Sequence, residues 1–143
     1  MEYSLKGYVD LLESLCLDNV EQIYEYVTDD IVFSDPFNKV SGAKAYVSLL
    51  KEMFEKLDGV QFSIYEFLCQ EDNNVAYIYW HFSADSRATG KLEFDGMSRL
   101  TLDEEGKISS HQDFWDGLVV LQKAPILGTI LRKIKNKISY QKS

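Results

Sequence analysis

The chain is poor in the residues that build disulfide frameworks and metal sites, since two cysteines and two histidines occur among its 143 residues. Cys16 and Cys69 lie far apart, each within an apolar segment and without Cys-x-x-Cys spacing, so we expect two buried thiols. His81 could join His111 and Asp113 around a metal ion, but no short ligand spacing supports such a site. The sequence therefore predicts no metal and no cofactor.

Several other motifs are absent. No apolar run approaches the roughly 18 residues of a membrane span, and residues 1–7 do not read as a secretion signal; both observations favour a cytoplasmic protein. The chain has no Gly-x-Ser-x-Gly elbow, no phosphate-binding glycine loop and no dinucleotide fingerprint. Nucleophilic hydrolysis, nucleotide hydrolysis and hydride transfer are therefore disfavoured.

The charge is unevenly distributed along the chain. The net charge is −8, yet residues 118–143 contain six basic side chains and no acidic one, which leaves −14 on residues 1–117. An acidic body of this kind repels phosphate backbones, so nucleic acid is not an expected partner.

The periodicity of apolar residues predicts an α+β domain. Hydrophobic residues make up 45% of the chain and charged residues 27%, which is typical of one globular domain at this length. A period of three to four residues predicts three N-terminal helices, and β-rich segments with alternating apolar residues predict strands after residue 60. The predicted helices cover residues 5–15, with Ser4 as N-cap, 20 to about 29, and 43–57; the predicted strands cover 31–34, 60–69, 75–83, 91–102 and 107–116.

This order of elements favours helices packed on one face of a curved antiparallel sheet, with a cavity between the two layers. In the strand at 60–69, the apolar residues change parity, which predicts a bulge near Ile64 and Tyr65. We assign residues 1–117 to this domain and residues 118–143 to a basic tail.

The tail has an apolar stripe at helical period, with Pro125 near its start and basic residues largely on the other side. The stripe consists of Ile126, Leu127, Ile130, Leu131, Ile134 and Ile138. A helix of this kind suits an anionic membrane surface, through residues 126–138. The alternative, which the small size of the domain favours, is that the helix packs over the domain or over a dimer mate.

Three segments together resemble the SnoaL-like branch of the nuclear transport factor two-like superfamily, whose members include ketosteroid isomerases, polyketide cyclases and limonene epoxide hydrolase. They are VTDDIVFSDPFNKVSG at 27–42, FDGMSRLTLDEEGKI at 94–108 and SHQDFWD at 110–116. The resemblance runs from about Leu5 to Asp116. It implies a cone-shaped half-barrel that holds a small-molecule pocket between three N-terminal helices and the sheet, often in homodimers.

The resemblance also implies a catalytic position. Asp35 falls where ketosteroid isomerases carry the carboxylate that moves a proton between carbons, although an aspartate before Pro36 is also a common way to open a turn. The oxyanion donors of those isomerases correspond to Leu11 and Gly96 here, so steroid isomerisation is disfavoured. The epoxide hydrolase arrangement is missing as well, because no carboxylate stands two residues after Arg99.

Near the end of the domain, His111, Asp113 and Trp115 share one face of a strand, which the resemblance directs into the cavity. A histidine beside a carboxylate can move a proton near neutral pH; the alternative is a polar pair that fixes the strand. The remaining expected pocket residues are Phe37, Leu50, Phe54, Trp80, Met97 and Trp115.

Two classes of function follow from these residues. The first is an enzyme of the proton-transfer type, an isomerase, cyclase or dehydratase, that acts on an apolar oxygenated substrate through Asp35, His111 and Asp113. The second is a non-catalytic binding protein for a hydrophobic ligand. A docking module that uses the basic tail is a further alternative.

Overall fold

The computed structural model describes residues 2–140 and has the predicted α+β architecture. Helices α1 and α2, with a 3₁₀ helix between them, pack on a six-stranded sheet, and helices α3 and α4 form the tail. The helices are α1 (Glu2–Ser14), the 3₁₀ helix (Val20–Glu25), α2 (Ala43–Lys56), α3 (Leu118–Leu121) and α4 (Pro125–Ile138). The strands are β1 (Val27–Ser34), β2 (Lys39–Ser41), β3 (Leu57–Gln70), β4 (Val75–Ser86), β5 (Gly90–Leu102) and β6 (Ile108–Phe114).

The sheet is curved and unclosed, with strand order β2-β1-β6-β5-β4-β3. Strands β3 to β6 form the predicted antiparallel meander. Strand β1 then pairs parallel to β6, with Ser34 beside Gln112. This long-range pairing cannot be predicted from the local periodicity of the sequence. The parallel pair brings the ends of β1 and β6 together, where Asp35 follows β1 and Asp113 lies one residue before the end of β6.

Several predicted boundaries near the N-terminus were wrong. Helix α1 begins at Glu2, so Ser4 lies within it and is not its cap. The second helix is a 3₁₀ helix that ends at Glu25, and residues 27–30, predicted as helical, belong to β1. The pairing of Val27 with Ile108 on β6 explains the difference, because this tertiary contact overrides the local helical period.

The bulge in β3 is confirmed. The register with β4 shifts between Ile64, which faces Trp80, and Glu66, which faces Tyr79. Tyr65 is the extra residue, and it lies half exposed on the outer face. Because the bulge reverses the alternation, Phe62 and Ile64 before it and Phe67 after it all pack against the core.

The core lies between the inner face of the sheet and the helices. Leu5 and Tyr8 of α1, Tyr46 of α2, and Ile78 and Leu100 of the sheet are almost completely buried. Burial of an aliphatic side chain of this size contributes on the order of 2 kcal/mol. Toward the end of β6, the two layers separate and leave a cavity.

Helix α3 of the tail contacts the domain, where Val120 packs against the core, but the apolar stripe of α4 does not. Asp116 accepts a hydrogen bond from the backbone N–H of Leu118 at 2.9 Å, which starts α3, and α4 then begins at Pro125. The apolar stripe of α4 is largely exposed, with Ile126 and Ile138 each 81% exposed. The expectation that it packs over its own domain was wrong, and packing over a dimer mate stays a prediction. Within residues 2–140, none of the helices combines the length and apolarity that crossing a bilayer requires.

Candidate functional site

A cavity of about 230 Å³ lies between α2, the inner face of the sheet and the start of the tail. Its wall is largely apolar, and its charged and polar side chains come from the ends of β1 and β6 and from α2 and β5. The apolar wall includes Phe33, Leu49, Leu50, Met53, Phe62 and Phe94. A mainly apolar wall with few polar groups is typical of a small-molecule site.

Four of the six expected pocket residues line this cavity: Phe37, Leu50, Trp80 and Trp115. Phe37 meets Trp115 edge to face at 5.2 Å, and Trp115 stacks on Phe94 at 4.5 Å. Phe37, Trp115 and Phe94 therefore form a continuous aromatic part of the cavity wall.

The placement of Met97 and Phe54 in the pocket was wrong. Met97 is 47% exposed and lies on the outer face of the sheet, because Gly96 and Ser98 on either side of it point inward. Phe54 is partly buried against the core but is absent from the cavity wall, where α2 places Leu50 and Met53 instead.

His111 and Asp113 come together on the cavity wall. Nε2 of His111 lies 2.7 Å from Oδ1 of Asp113, and the side chains are 4% and 14% exposed. Ser98 donates a second hydrogen bond to the same Oδ1 and accepts one from Nε1 of Trp80 at 2.8 Å. Among the described residues, both side-chain hydrogen bonds to Asp113 go to Oδ1, and Asp113 lines the cavity and the adjoining outer groove.

Two tyrosines continue this network on the other side of His111. The hydroxyl of Tyr8 lies 2.7 Å from Nδ1 of His111, and the hydroxyl of Tyr46 lies 2.8 Å from that of Tyr8. Helix α1 supplies Tyr8, and α2 supplies Tyr46, whose side chain also lines the cavity. Neither tyrosine was predicted as part of the site.

Burial raises the pKa of Tyr8 and of Tyr46 above the ordinary value of a phenol, so both remain protonated at neutral pH. In the tautomer of His111 that carries its proton on Nε2, the donors point in one direction: Tyr46 donates to Tyr8, Tyr8 donates to Nδ1, and Nε2–H donates to Asp113. This arrangement satisfies each buried donor. It ends on the carboxylate of Asp113.

Asp35 also lines the cavity, at its opening to solvent, where an outer groove adjoins it. Its Oδ1 accepts hydrogen bonds from the backbone N–H groups of Phe37 and Asn38, at 2.8 and 2.7 Å. The side-chain amide of Asn38 also donates to this carboxylate. Asp35 therefore holds the turn after β1, as the alternative interpretation of its sequence position predicted, and also contributes a carboxylate to the cavity.

The two positions that correspond to the isomerase oxyanion donors hold no donor side chain. Leu11 is buried and does not line the cavity. The ring of Trp80 lies against Gly96, where a Cβ would be 2.3 Å from Cη2 of the indole. Gly96 thus makes room for Trp80, whose N–H holds Ser98.

His81 lies on the other face of the sheet, away from His111. Its Nδ1 is 2.7 Å from Asp95 and its Nε2 is 2.9 Å from Glu93, and the hydroxyl of Tyr65 donates to Asp95. Hydrogen bonds that the ring donates to Asp95 and Glu93 raise the pKa of His81. Because the sheet separates His81 from His111 and Asp113, these three residues cannot bind one metal ion; the described side chains contain no group of three or more His, Cys, Asp or Glu placed to hold one.

The residues missed by the sequence analysis are Tyr8, Tyr46 and Ser98. The available signal for the tyrosines was chemical: a phenol on an otherwise aliphatic helical stripe needs a hydrogen-bond partner when buried. A single serine within an apolar strand, at Ser98, is the same kind of signal.

The expectation that Cys16 is buried was wrong, because its side chain is exposed.

A curved sheet that is covered by helices and encloses an apolar cavity with one polar wall defines a protein of the nuclear transport factor two-like fold. The chain belongs to the SnoaL-like domain family, whose model matches residues 6–111. No curated protein sequence matches it.

Solved structures of three proteins show the same fold at low identity. A proposed SnoaL-like polyketide cyclase from Jannaschia sp. CCS1 has a TM-score of 0.73 at 12% identity, over 85% of this chain and 92% of its own. An LEH-like epoxide hydrolase from M. tuberculosis has a TM-score of 0.66 at 13% identity, over 94% of both chains. A steroid delta-isomerase from Pseudomonas aeruginosa has a TM-score of 0.63 at 18% identity, over 97% of this chain and 94% of its own.

Proposed function

We propose that this protein is an enzyme of the proton-transfer type, an isomerase, cyclase or dehydratase, that acts on a small apolar substrate with a polarised oxygen. The observation that supports this proposal best is the carboxylate of Asp113. Oδ1 of this carboxylate is fixed by His111 and Ser98, Asp113 lines the cavity, and we assign its Oδ2 to the substrate. A carboxylate fixed through one oxygen in an apolar cavity suits general acid-base chemistry.

In the proposed reaction, the substrate carries a carbonyl group, and Oδ2 of Asp113 accepts a proton from the carbon adjacent to the carbonyl carbon. The C–H bond breaks, an O–H bond forms on Asp113, and the electron pair moves toward the substrate oxygen. Return of the proton to a different carbon gives isomerisation. His111 acts as a positioning residue here, because its Nε2–H holds Oδ1 while Tyr8 holds its Nδ1.

Asp35 is the second carboxylate of the proposed site. It follows Ser34 as Asp113 follows Gln112, and Ser34 and Gln112 are neighbours in the parallel pair β1–β6, so the two carboxylates lie on adjacent strands. The turn hydrogen bonds fix Oδ1 of Asp35. We assign to Asp35 the role of a base at the cavity opening that exchanges the proton with solvent or substrate.

A non-catalytic binding protein is the second candidate. The lack of donor side chains at Leu11 and Gly96 favours it, since an enolate oxygen would need hydrogen bonds at the moment its charge develops. In this case, the same polar groups orient a hydrophobic ligand and no bond is broken.

The decisive experiment begins with native mass spectrometry of freshly purified protein, followed by extraction and identification of any co-purified molecule. That molecule and its close analogues are then offered to the wild type and to Asp113→Asn, His111→Gln and Asp35→Asn. Loss of a general acid-base residue lowers kcat by about 100-fold to 10,000-fold. Asp72→Asn, an exposed change in the turn after β3, is the matched control for loss of a carboxylate.

The enzyme proposal fails if the bound molecule is not converted, or if the three site variants turn it over like the control. Retained binding with no conversion by the wild type supports the binding protein. The pH dependence of kcat/KM distinguishes the roles of the two carboxylates. Substitution of the residue that acts as the base shifts or abolishes the acidic limb of this profile. Substitution of an aspartate that only holds a turn lowers the stability of the protein and leaves the profile unchanged.

We also propose a homodimer that forms through the outer face of the sheet. Met97 and Phe114 are neighbours there, each about half exposed, and Tyr79 lies beside Met97. An exposed apolar patch of this kind favours association. Met97→Glu with Phe114→Glu is expected to give a monomer in sedimentation velocity, and a dimer that persists in this variant contradicts the proposal.

We further propose a cytoplasmic location and a peripheral membrane contact. A cytoplasmic location is supported by the exposed thiol of Cys16, a group that a reducing compartment preserves. A peripheral contact between residues 126–138 and a membrane surface is supported by the exposed apolar stripe of α4.

A further inference from the structure

Helix α4 carries an unpartnered apolar face. Ile126 and Ile138 at its ends are each 81% exposed, and Ile130 and Ile134 between them are each 50% exposed. Leaving four isoleucines in water along one helix is unfavourable unless something covers them. The described part of this chain does not cover them.

The charged side chains beside this apolar face are all basic. Lys133, Lys135 and Lys137 lie in the second half of α4 and are exposed, and residues 118–143 contain no acidic side chain. At 100° per residue, Lys133 and Lys137 lie along one side of the stripe and Lys135 lies on the other side, and such long side chains can extend from an apolar surface to charged groups. The body, with a net charge of −14, is repelled by an anionic surface, so the tail is the part that such a surface attracts.

The helix is attached to the domain through a fixed hairpin. Arg132 donates a hydrogen bond to the backbone carbonyl of Gln122 at 2.8 Å. Gly128 allows α4 to approach that carbonyl, because a Cβ at this position would lie 2.1 Å from the oxygen. Val120, in α3, forms part of the cavity wall, so α3 connects the cavity wall to the start of α4 at Pro125.

The area of the stripe favours a lipid surface over a second copy of the chain. A 14-residue helix is about 21 Å long, and a strip about 10 Å wide along it covers on the order of 200 Å². A stable protein interface needs about 800 Å² from each partner. A narrow apolar strip flanked by lysines is instead the pattern of a helix that lies in a membrane interface.

We propose that α4 docks the protein on anionic phospholipid, with the four isoleucines in the acyl boundary and the lysines at the headgroups. This proposal deepens the proposed peripheral membrane contact and rests on it.

The test is flotation of the full-length protein with vesicles of phosphatidylcholine alone and of phosphatidylcholine mixed with phosphatidylserine. The wild type is expected to float with the anionic vesicles and to lose this binding as salt is added. Lys133→Gln with Lys137→Gln is expected to weaken binding by roughly fivefold for each lysine. Lys44→Gln with Lys91→Gln removes the same charge from exposed positions of the body and is expected to leave binding unchanged or slightly stronger.

The apolar face is tested separately. Ile130→Ser with Ile134→Ser is expected to abolish flotation, whereas Leu17→Ser, at a residue equally 50% exposed, is expected to retain it. Circular dichroism in the absence of vesicles checks that each variant is folded. The proposal is overturned if the wild type fails to float, or if the lysine and isoleucine variants bind like their controls.

Sedimentation velocity of the same variants tests whether a second copy of the chain, and not lipid, covers the stripe. If Ile130→Ser with Ile134→Ser converts a dimer into a monomer and no form binds vesicles, the stripe is an interface between copies and the docking proposal is wrong. Failure of the proposed enzyme function is distinguishable, because Asp113→Asn is expected to lose turnover and to bind vesicles like the wild type.

Discussion

The hydroxyl of Tyr8 lies 2.7 Å from Nδ1 of His111, although 103 residues separate the two in sequence. This contact joins the first helix to the strand that carries the proposed acid-base pair. It also fixes the ring of His111, because a phenol that donates to Nδ1 leaves the proton on Nε2, where it meets Asp113. The orientation of Asp113 thus depends on a residue that has no place in the cavity wall.

Tyr8→Phe tests this dependence. Phenylalanine keeps the ring but leaves Nδ1 of His111 buried without its partner, which costs about 1–3 kcal/mol of unfolding free energy. Urea denaturation measures this loss, and Tyr140→Phe, at a 90% exposed position, is expected to leave the stability unchanged. Equal stability of Tyr8→Phe and the wild type would show that the contact contributes nothing.

A second prediction concerns alkaline pH. Burial raises the pKa of Tyr8 and Tyr46 above 10, so above pH 10 the unfolded chain loses protons that the native state retains. The native state then binds more protons, and stability falls as pH rises. The phenolate absorbance of these two tyrosines is expected to appear together with the loss of circular dichroism, and Tyr8→Phe with Tyr46→Phe should remove that component. Reversible titration of all nine tyrosines in the folded state contradicts the prediction.

Local periodicity predicted most of the elements, because the apolar face of each must meet the core. The parity change in β3 was sufficient to predict the bulge at Tyr65, since only a bulge keeps both halves of the strand on the core. The same reasoning misplaced Met97, because the inner face of β5 carries small residues, Gly96 and Ser98, beneath Trp80. A hydrophobic pattern cannot show that a large side chain from a neighbouring strand fills the space above a glycine.

The site was only partly predictable for a different reason. His111 and Asp113 stand two residues apart on one strand, so alternation alone places them together. Tyr8 and Tyr46 reach His111 from two helices, and the packing that brings them there is a long-range property that no local pattern contains. The exposed face of α4 is a third case, because its amphipathic sequence predicts a helix but does not identify what covers it.

Gly96→Ala tests the packing of Trp80. A Cβ would lie 2.3 Å from the indole, so Trp80 must move, and overpacking of this kind costs about 1–3 kcal/mol. The displaced indole would also lose its hydrogen bond to Ser98 and alter the cavity wall. Thermal unfolding with tryptophan fluorescence measures both effects. Gly117→Ala is the control, because its φ of −60° suits alanine and a Cβ there meets only ordinary contacts; equal effects of the two substitutions would contradict this account.

The cluster around His81 gives a pH dependence of stability that is independent of the cavity. Hydrogen bonds to Asp95 and Glu93 raise the pKa of His81 above 6.5, and the hydrogen bond to His81 lowers the pKa of Asp95 below 3.8. The contribution of His81 is therefore complete below pH 6.5 and is lost as pH rises through its higher folded pKa. The contribution of Asp95 is complete above pH 3.8 and is lost as pH falls through its lower folded pKa.

His81→Gln should therefore destabilise the protein most between these limits, near pH 5 to 6, and least at alkaline pH, where the wild-type histidine is neutral. Because these side chains are partly exposed, added salt should reduce the difference. Unfolding midpoints of the wild type and the variant across this range measure it. Asp72→Asn, which removes one exposed carboxylate outside the cluster, is the control. A difference between His81→Gln and the wild type that grows with rising pH would reverse the sign and rule out the charged form of His81 as the stabilising species.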